Sequence, residues 1–502
     1  MKKQHLIVLA LVTAVLFVIL FYKKMLGINL LLFEAVVIPA MLYVNRPIRL
    51  NLLTGSILSA TVLTAIFAVI ANTSWGIFVN FVFLFCLGYV LAFPKGKSFA
   101  HVVCGSFLRC FLAQISVFSS HTEGKTDSKT SSSLIQRSYK FFWIACIPVC
   151  IFLIFFLLYL GSSSAFSKSF LSFWEKVNFA LFCFFILGII VANPLLMRTK
   201  ALFFYENDLS SSNDLKRIRA KHSSSFRTTV LRTQNTAGIV LLFMLNALIF
   251  IFNYVDVTHI WFGFQWNGDF LKEFVHEGTW ILLFSVFISA AIALYFFHNN
   301  LNFFSKNKLL KRLTVLWIAQ NLVMVVSVAI RNFYYINYFG LAYKRIAVLF
   351  FLVLVAIGLI TIIIKILRLK SSYFLWRTNG FSLLLVLTVS ALFNWDILIT
   401  KHNFAHYDRS FIEYRFVGGL RDAALPYAAK TLEELAEINA VQEKIMPFSL
   451  YQYQLWRYQA YHWHISRKQD MFLKTYPSRS LLEWNLPDYL AYKKLVSAEI
   501  EK

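Results

Sequence analysis

Residues 346–367 read IAVLFFLVLVAIGLITIIIKIL, and the only charged side chain among them is Lys365, close to the end. A helix rises about 1.5 Å per residue, so this run extends about 33 Å, enough to cross the roughly 30 Å hydrocarbon core of a bilayer. It predicts a membrane-spanning helix.

The same ruler, carried outward in both directions, predicts spans at 6–22, 28–44, 55–71, 76–93, 141–160, 177–197, 237–252, 280–297, 313–330 and 381–395. The expected fold is therefore all-α: a polytopic transmembrane helical bundle of about eleven spans over residues 1–395, with a small helical extracytoplasmic tail over 396–502. Residues 99–118 are apolar but carry His101, Arg109 and Gln114, which suits an interfacial or re-entrant helix better than a span.

Composition points the same way. Of the 502 residues 59% are hydrophobic and 15% charged, against about 25% charged in a typical soluble chain. Phe alone occurs 53 times. The net charge of +25 sits in short blocks between apolar runs, as the positive-inside rule expects. No basic stripe interleaves with aromatics, so nucleic acid is not the expected partner.

Six cysteines are present. Cys86, Cys146, Cys150 and Cys183 fall in spans, and Cys104 and Cys110 on the expected cytoplasmic side, so no disulfide is expected. Cys146 and Cys150, four apart, read as packing residues rather than a soft-metal site.

Orientation follows from the cations. Lys2 and Lys3 precede the first span, which lacks a small-residue cleavage site and reads as an uncleaved anchor. With the N-terminus inside, the inner loops hold roughly 27 basic residues and the outer loops roughly 8. Lys23 and Lys24 run against this trend. The basic inner loops are 119–140 and 198–236. Residues 119–138 and 208–225 have the Ser-, Lys- and Asp-rich composition of flexible segments. Lys216, Arg217, Arg219 and Lys221 act as a topology signal and can also hold anionic lipid headgroups. In the tail, Asp408 and Ser410 are candidate N-caps, Pro426 opens or bends a helix, and residues 446–476 are dense in aromatics. No internal repeat is visible.

Residues 331–345, RNFYYINYFGLAYKR, close one span and open the next. They resemble the most characteristic motif of a bacterial membrane family known only as domain of unknown function 4173 (DUF4173), with its Arg, its Tyr, a Tyr-Gly-Leu-Thr-like turn and a second Arg. Residues 261–268 with 274–278 are similar to that family's outer loop. Residues 394–403, NWDILITKHN, resemble its Asn-x-Asp-x-x-Ile-x-x-x-Asn segment, and 420–426, LRDAALP, its Asp-Ala-x-x-Pro helix start. The resemblance covers about residues 180–495. Ala342 replaces the usual Thr and Asn332 an often apolar residue, which puts in doubt any hydroxyl role at the turn. The resemblance implies a multi-pass bacterial membrane protein and brings no activity.

Several residues are candidates for chemistry. Glu34 is the only carboxylate inside an expected span, where a charge costs at least about 3 kcal/mol, so it is either a proton relay or ion ligand, or a neutral acid bonded to a neighbouring helix. Asn246, Gln320 and Asn321 are further intramembrane polar groups, suited to interhelical hydrogen bonds. Arg331, Lys344 and Arg345 beside Tyr335 and Tyr338 suit an outer-face grip on an anion or lipid phosphate; the plainer reading is an interfacial anchor. His402 and His406 are four apart, as weak metal candidates, and Glu273 and His276 three apart. No Walker A, nucleophile-elbow or Rossmann pattern occurs, and no cofactor is expected.

These observations favour a non-enzymatic integral protein of the bacterial inner membrane, with its N-terminus cytoplasmic, its tail extracytoplasmic, the lipid bilayer as partner, and a binding, regulatory or scaffold role. A secondary transporter of a small molecule or lipid is the second reading. A membrane enzyme acting on lipids or glycans at the outer face is the third. A polar mid-membrane cavity discriminates for transport. Convergence of Asp256, His259, Glu273, His276, His402 and Asp408 on one outer cavity discriminates for the enzyme.

Overall fold

The computed structural model describes residues 3–47, 50–116, 147–163, 168, 179–197, 202–217, 225–262, 268–297, 300–445, 454 and 456–500. The whole basic loop 119–140, residues 141–146 of the fifth expected span, residues 218–224 and residues 446–453 of the aromatic stretch lie outside them. So do the side chains of Glu273 and His276. The backbone is helical, with no strand among the described residues and one isolated bridge between Asp214 and Lys370.

In chain order the helices are α1 (Lys3–Phe21), α2 (Ile28–Val44), α3 (Leu52–Ile70), α4 (Ser74–Ala92), α5 (Phe99–Ser116), α6 (Ile147–Ser162) and α7 (Phe179–Leu196). There follow α8 (Leu202–Ser210), α9 (Ser225–Asp256), α10 (Gly268–Phe296), α11 (Lys308–Phe339), α12 (Tyr343–Leu367) and α13 (Ser372–Ser390). The tail holds α14 (Trp395–Ala405), α15 (Tyr414–Gly418), α16 (Leu425–Ala428), α17 (Leu432–Ile445), α18 (Tyr458–Thr475) and α19 (Leu486–Ile500).

Among the described residues 7 helices are long and apolar enough to cross a membrane: α1, α3, α4, α7, α9, α11 and α12. The pair α13 and α14, bent by 66°, makes up to 8. The other expected spans fall on shorter apolar helices: α2, Cys150–Ser162 within α6, and Ile281–Phe296 within α10. Among the described residues, seven or eight of the eleven expected spans therefore have the length and apolarity to cross a membrane. Of the segment 99–118, residues 99–116 form a helix, α5, with a buried Arg109 that donates to the Gly88 carbonyl of α4.

The chain divides into two compact units, Met1–Lys23 with Cys110–Thr199, and Lys24–Arg109 with Lys200–Lys502. In the first, α1 packs on α7. Gly188 lies so close that a Cβ would sit 3.0 Å from the Ala14 carbonyl oxygen, and Phe17 stacks on Phe184 at 5.2 Å. Gln114 donates to the Ile190 carbonyl (2.9 Å) and accepts from Asn193 (3.0 Å).

The second unit has two chemically different ends. At one, Asp208 of α8 accepts from the Lys97 amide (2.6 Å) and the Tyr373 hydroxyl (2.6 Å), and the Ser371 amide donates to the Asn213 carbonyl (2.9 Å). Residues 208–217, expected to be flexible, are thus pinned, because Asp208 caps the chain entering α5. Lys365 donates to the Phe297 carbonyl at the same end (2.7 Å). At the other end the tail covers the chain turns at 24–27, 71–73, 340–342 and 391–394. The Ile28 amide donates to the Trp484 carbonyl (2.9 Å), Asn394 to the Ala71 carbonyl (2.8 Å), and Asn403 to the Leu341 carbonyl (3.0 Å).

Two of the apolar cores among the described residues lie on this half of the chain. One joins α9, α10, α11 and α12 around Leu242, Val286, Ile318 and Leu359. The other belongs to the tail, around Ile399, Tyr414, Val417, Leu435, Tyr461 and Ile465, and takes in Ile346 from the start of α12. Tyr461 donates to the Ala428 carbonyl (2.9 Å), and burial, then the neighbouring Tyr414, push its phenol up from its ordinary value.

Candidate functional site

The site begins at a turn. Gly340 closes α11 with φ +77°, in the left-handed region that Gly adopts without strain. A Cβ there would come within 2.7 Å of Asn403 Oδ1. That amide instead brackets the turn, accepting from the Leu341 amide (2.6 Å) and donating to its carbonyl. α12 and α14 are thereby fixed to each other.

Asn394 caps α14, its Oδ1 accepting from the Ile397 amide (3.0 Å). Two residues on, buried Asp396 accepts from the Tyr343 hydroxyl and from the Arg421 amide (3.5 Å). Arg421 donates to the Asn72 carbonyl and to Asn72 Oδ1 (2.7 Å). Glu413 caps α15, where Oε2 accepts from the Phe416 amide (2.9 Å) and the buried Oε1 has no hydrogen bond among the described residues. Arg415 is exposed.

Tyr343, Asp396, Glu413, Arg415 and Arg421 form the rim of a cavity of about 1240 Å³. Its wall is apolar and comes from the spanning helices: Trp75 and Phe78 of α4, Ile346, Phe350 and Leu354 of α12, and Leu387 of α13. Trp75 donates to Ser390 Oγ (2.9 Å), tying α4 to α13 across it. The volume exceeds the roughly 300–1,000 Å³ of ordinary small-molecule pockets. One amphipathic ligand fits the arrangement, its hydrocarbon along the helices and its polar group at the tail.

The expected site residues are disposed differently. Arg331, only 5% exposed, pairs with Asp256, whose other oxygen accepts from Ser327. Arg345 donates to the Phe339 (2.7 Å) and Gly340 carbonyls and lies 4.4 Å over the Tyr335 ring. Both guanidiniums bond within the fold, Arg345 and Tyr335 are brought together, Lys344 is exposed and Tyr338 half-buried. α9 runs on through Asp256 into a π-turn, Val257–Trp261, instead of ending near 252, because Arg331 neutralises the carboxylate.

Within the bundle, Gln320 donates to Asn246 Oδ1 (2.7 Å), Asn246 to the Leu313 carbonyl (3.1 Å), and Asn321 to the Trp317 carbonyl (2.9 Å). They act as interhelical and intrahelical bonds, and none lines the cavity. Glu34 is buried beside Asn80, which donates to Thr64 Oγ1 (3.2 Å). The His402 and His406 rings lie 4.3 Å apart, and among the described residues no group of three His, Cys, Asp or Glu side chains could hold a metal. Asp256, His259, His402 and Asp408 do not line the cavity. The charged rim is not legible in the tail's composition, where the charges nearly cancel in sum, although Tyr343, Asp396 and Arg421 fall within the motifs quoted above.

Fold and site together define a membrane-embedded helical protein with an amphipathic cavity under a helical cap. Residues 57–431 match the family described as a domain of unknown function (DUF4153), and the chain belongs to that family. The match supports a family of unknown function but not the DUF4173 name that the motifs suggested. Every cavity-lining residue falls inside the matched region. No curated protein and no solved structure matches.

Proposed function

We propose that this is a non-enzymatic, multi-pass protein of the bacterial inner membrane that binds a membrane lipid in the capped cavity, with the tail outside the cytoplasm and about eleven spans. The observation that carries it is the division of one cavity into an apolar wall from α4, α12 and α13 and a charged rim from Asp396, Glu413, Arg415 and Arg421. Lipid is the amphiphile in reach of such a wall. The internally bonded Asn246 and Gln320 favour binding over transport through the bundle.

Ala347 lies exposed on the wall. Ala347→Trp fills the apolar part without touching the rim. Purified in mild detergent, the native protein is expected to carry stoichiometric lipid, seen by mass spectrometry, and the variant to carry none at unchanged monodispersity. Equal lipid content in both would overturn the proposal.

A further inference from the structure

The rim carries a pattern of used and unused charge, and we infer from it that the bound lipid has a phosphoethanolamine headgroup, a phosphate and a primary ammonium in one molecule. This rests on the lipid-binding reading above. Arg421 is committed, because its guanidinium donates to the carbonyl and side chain of Asn72. Arg415 is exposed and has no ion pair or hydrogen bond from its side chain among the described residues. A free guanidinium is suited to a phosphate, which it holds through two parallel N–H bonds.

The carboxylates show the complementary need. Glu413 spends Oε2 on the Phe416 amide, and among the described residues no donor reaches its buried Oε1. A buried acceptor in that state is costly until a donor arrives. Asp396 uses Oδ1 for Tyr343 and Arg421, and no hydrogen bond reaches Oδ2 among the described residues. The rim therefore offers two carboxylate oxygens and one uncommitted cation. A headgroup with only negative charge meets both carboxylates unfavourably. A trimethylated ammonium has no N–H to give Glu413. A primary ammonium has three donors, and its phosphate falls to Arg415.

The test offers the full-length, detergent-purified protein an equimolar mixture of phosphatidylethanolamine, phosphatidylglycerol and phosphatidylcholine with matched acyl chains. Retained lipid is counted by native mass spectrometry. A charged hydrogen bond gained by one headgroup alone predicts retention of the ethanolamine lipid about tenfold above either competitor. Glu413→Gln keeps an acceptor for the Phe416 amide and is expected to abolish that preference while lipid still binds. Arg415→Gln is expected to weaken all three lipids together. Lipid retained with glycerol or choline headgroups equal or favoured overturns the inference and leaves lipid binding standing, as does an undiminished preference in Glu413→Gln. Retention of no lipid overturns both.

Discussion

Asp256 and Arg331 are each about nine-tenths or more removed from water, and they hold α9 to α11 with Ser327 as a third member. Removing one partner of such a pair strands the other charge, which costs about 3–5 kcal/mol, whereas replacing both with apolar residues of similar size is often neutral. Arg331→Met is therefore expected to lower the melting temperature in detergent sharply, and the double variant Asp256→Leu with Arg331→Met to recover most of the loss. If the double variant is as unstable as the single, the pair has a role beyond neutralisation. The sequence marked Arg331 as unusual because it is a cation on the expected outer side. It could not show the partner, since Asp256 lies 75 positions away. A charge is legible in sequence; its neutralisation through space is not.

At the level of helices, every apolar run predicted as a span falls on a helix where it is described, because twenty apolar residues in series have few other ways to satisfy their backbone in lipid. Their ends were less legible, since an end is set by capping and by neighbours. Residues 208–217 illustrate the reason: they are polar and Ser-rich, yet bonds from Lys97, Tyr373 and Ser371 fix them. The tail's seat on α2 was equally hidden. Gly27, which precedes α2, is so near the Glu483 and Trp484 carbonyls that a Cβ would lie 2.5 Å from each. Neither backbone oxygen can rotate away as a side chain would. Gly27→Ala is expected to push the 483–484 segment off α2, break the Ile28 to Trp484 bond, and cost about 1–3 kcal/mol by overpacking. Limited proteolysis within the tail should then accelerate, with α2 unaffected; an unchanged cleavage rate would mean that the contact yields cheaply.

Across the whole chain, orientation depends on whether the two ends of the larger unit face different compartments. The end tied by Asp208 carries Lys95, Lys97, Lys216, Arg217, Lys306, Lys308 and Arg368, whereas at the tail end Lys344, Arg345, Arg415 and Arg421 stand with the carboxylates Asp396 and Glu413. Lys and Arg near span ends accumulate on the cytoplasmic side, so the Asp208 end is expected inside and the cavity rim outside. In a variant with all six cysteines replaced by serine, single cysteines at exposed Lys308 and exposed Lys474 report the two ends. A membrane-impermeant maleimide added to intact cells whose outer layer has been permeabilised is expected to label Lys474→Cys at once, and Lys308→Cys only after lysis. The opposite order would invert the protein and place the lipid rim in the cytoplasmic leaflet. Labelling of both from one side would show that the two ends share a compartment, which is incompatible with the three spans expected between the reporters, 313–330, 346–367 and 381–395.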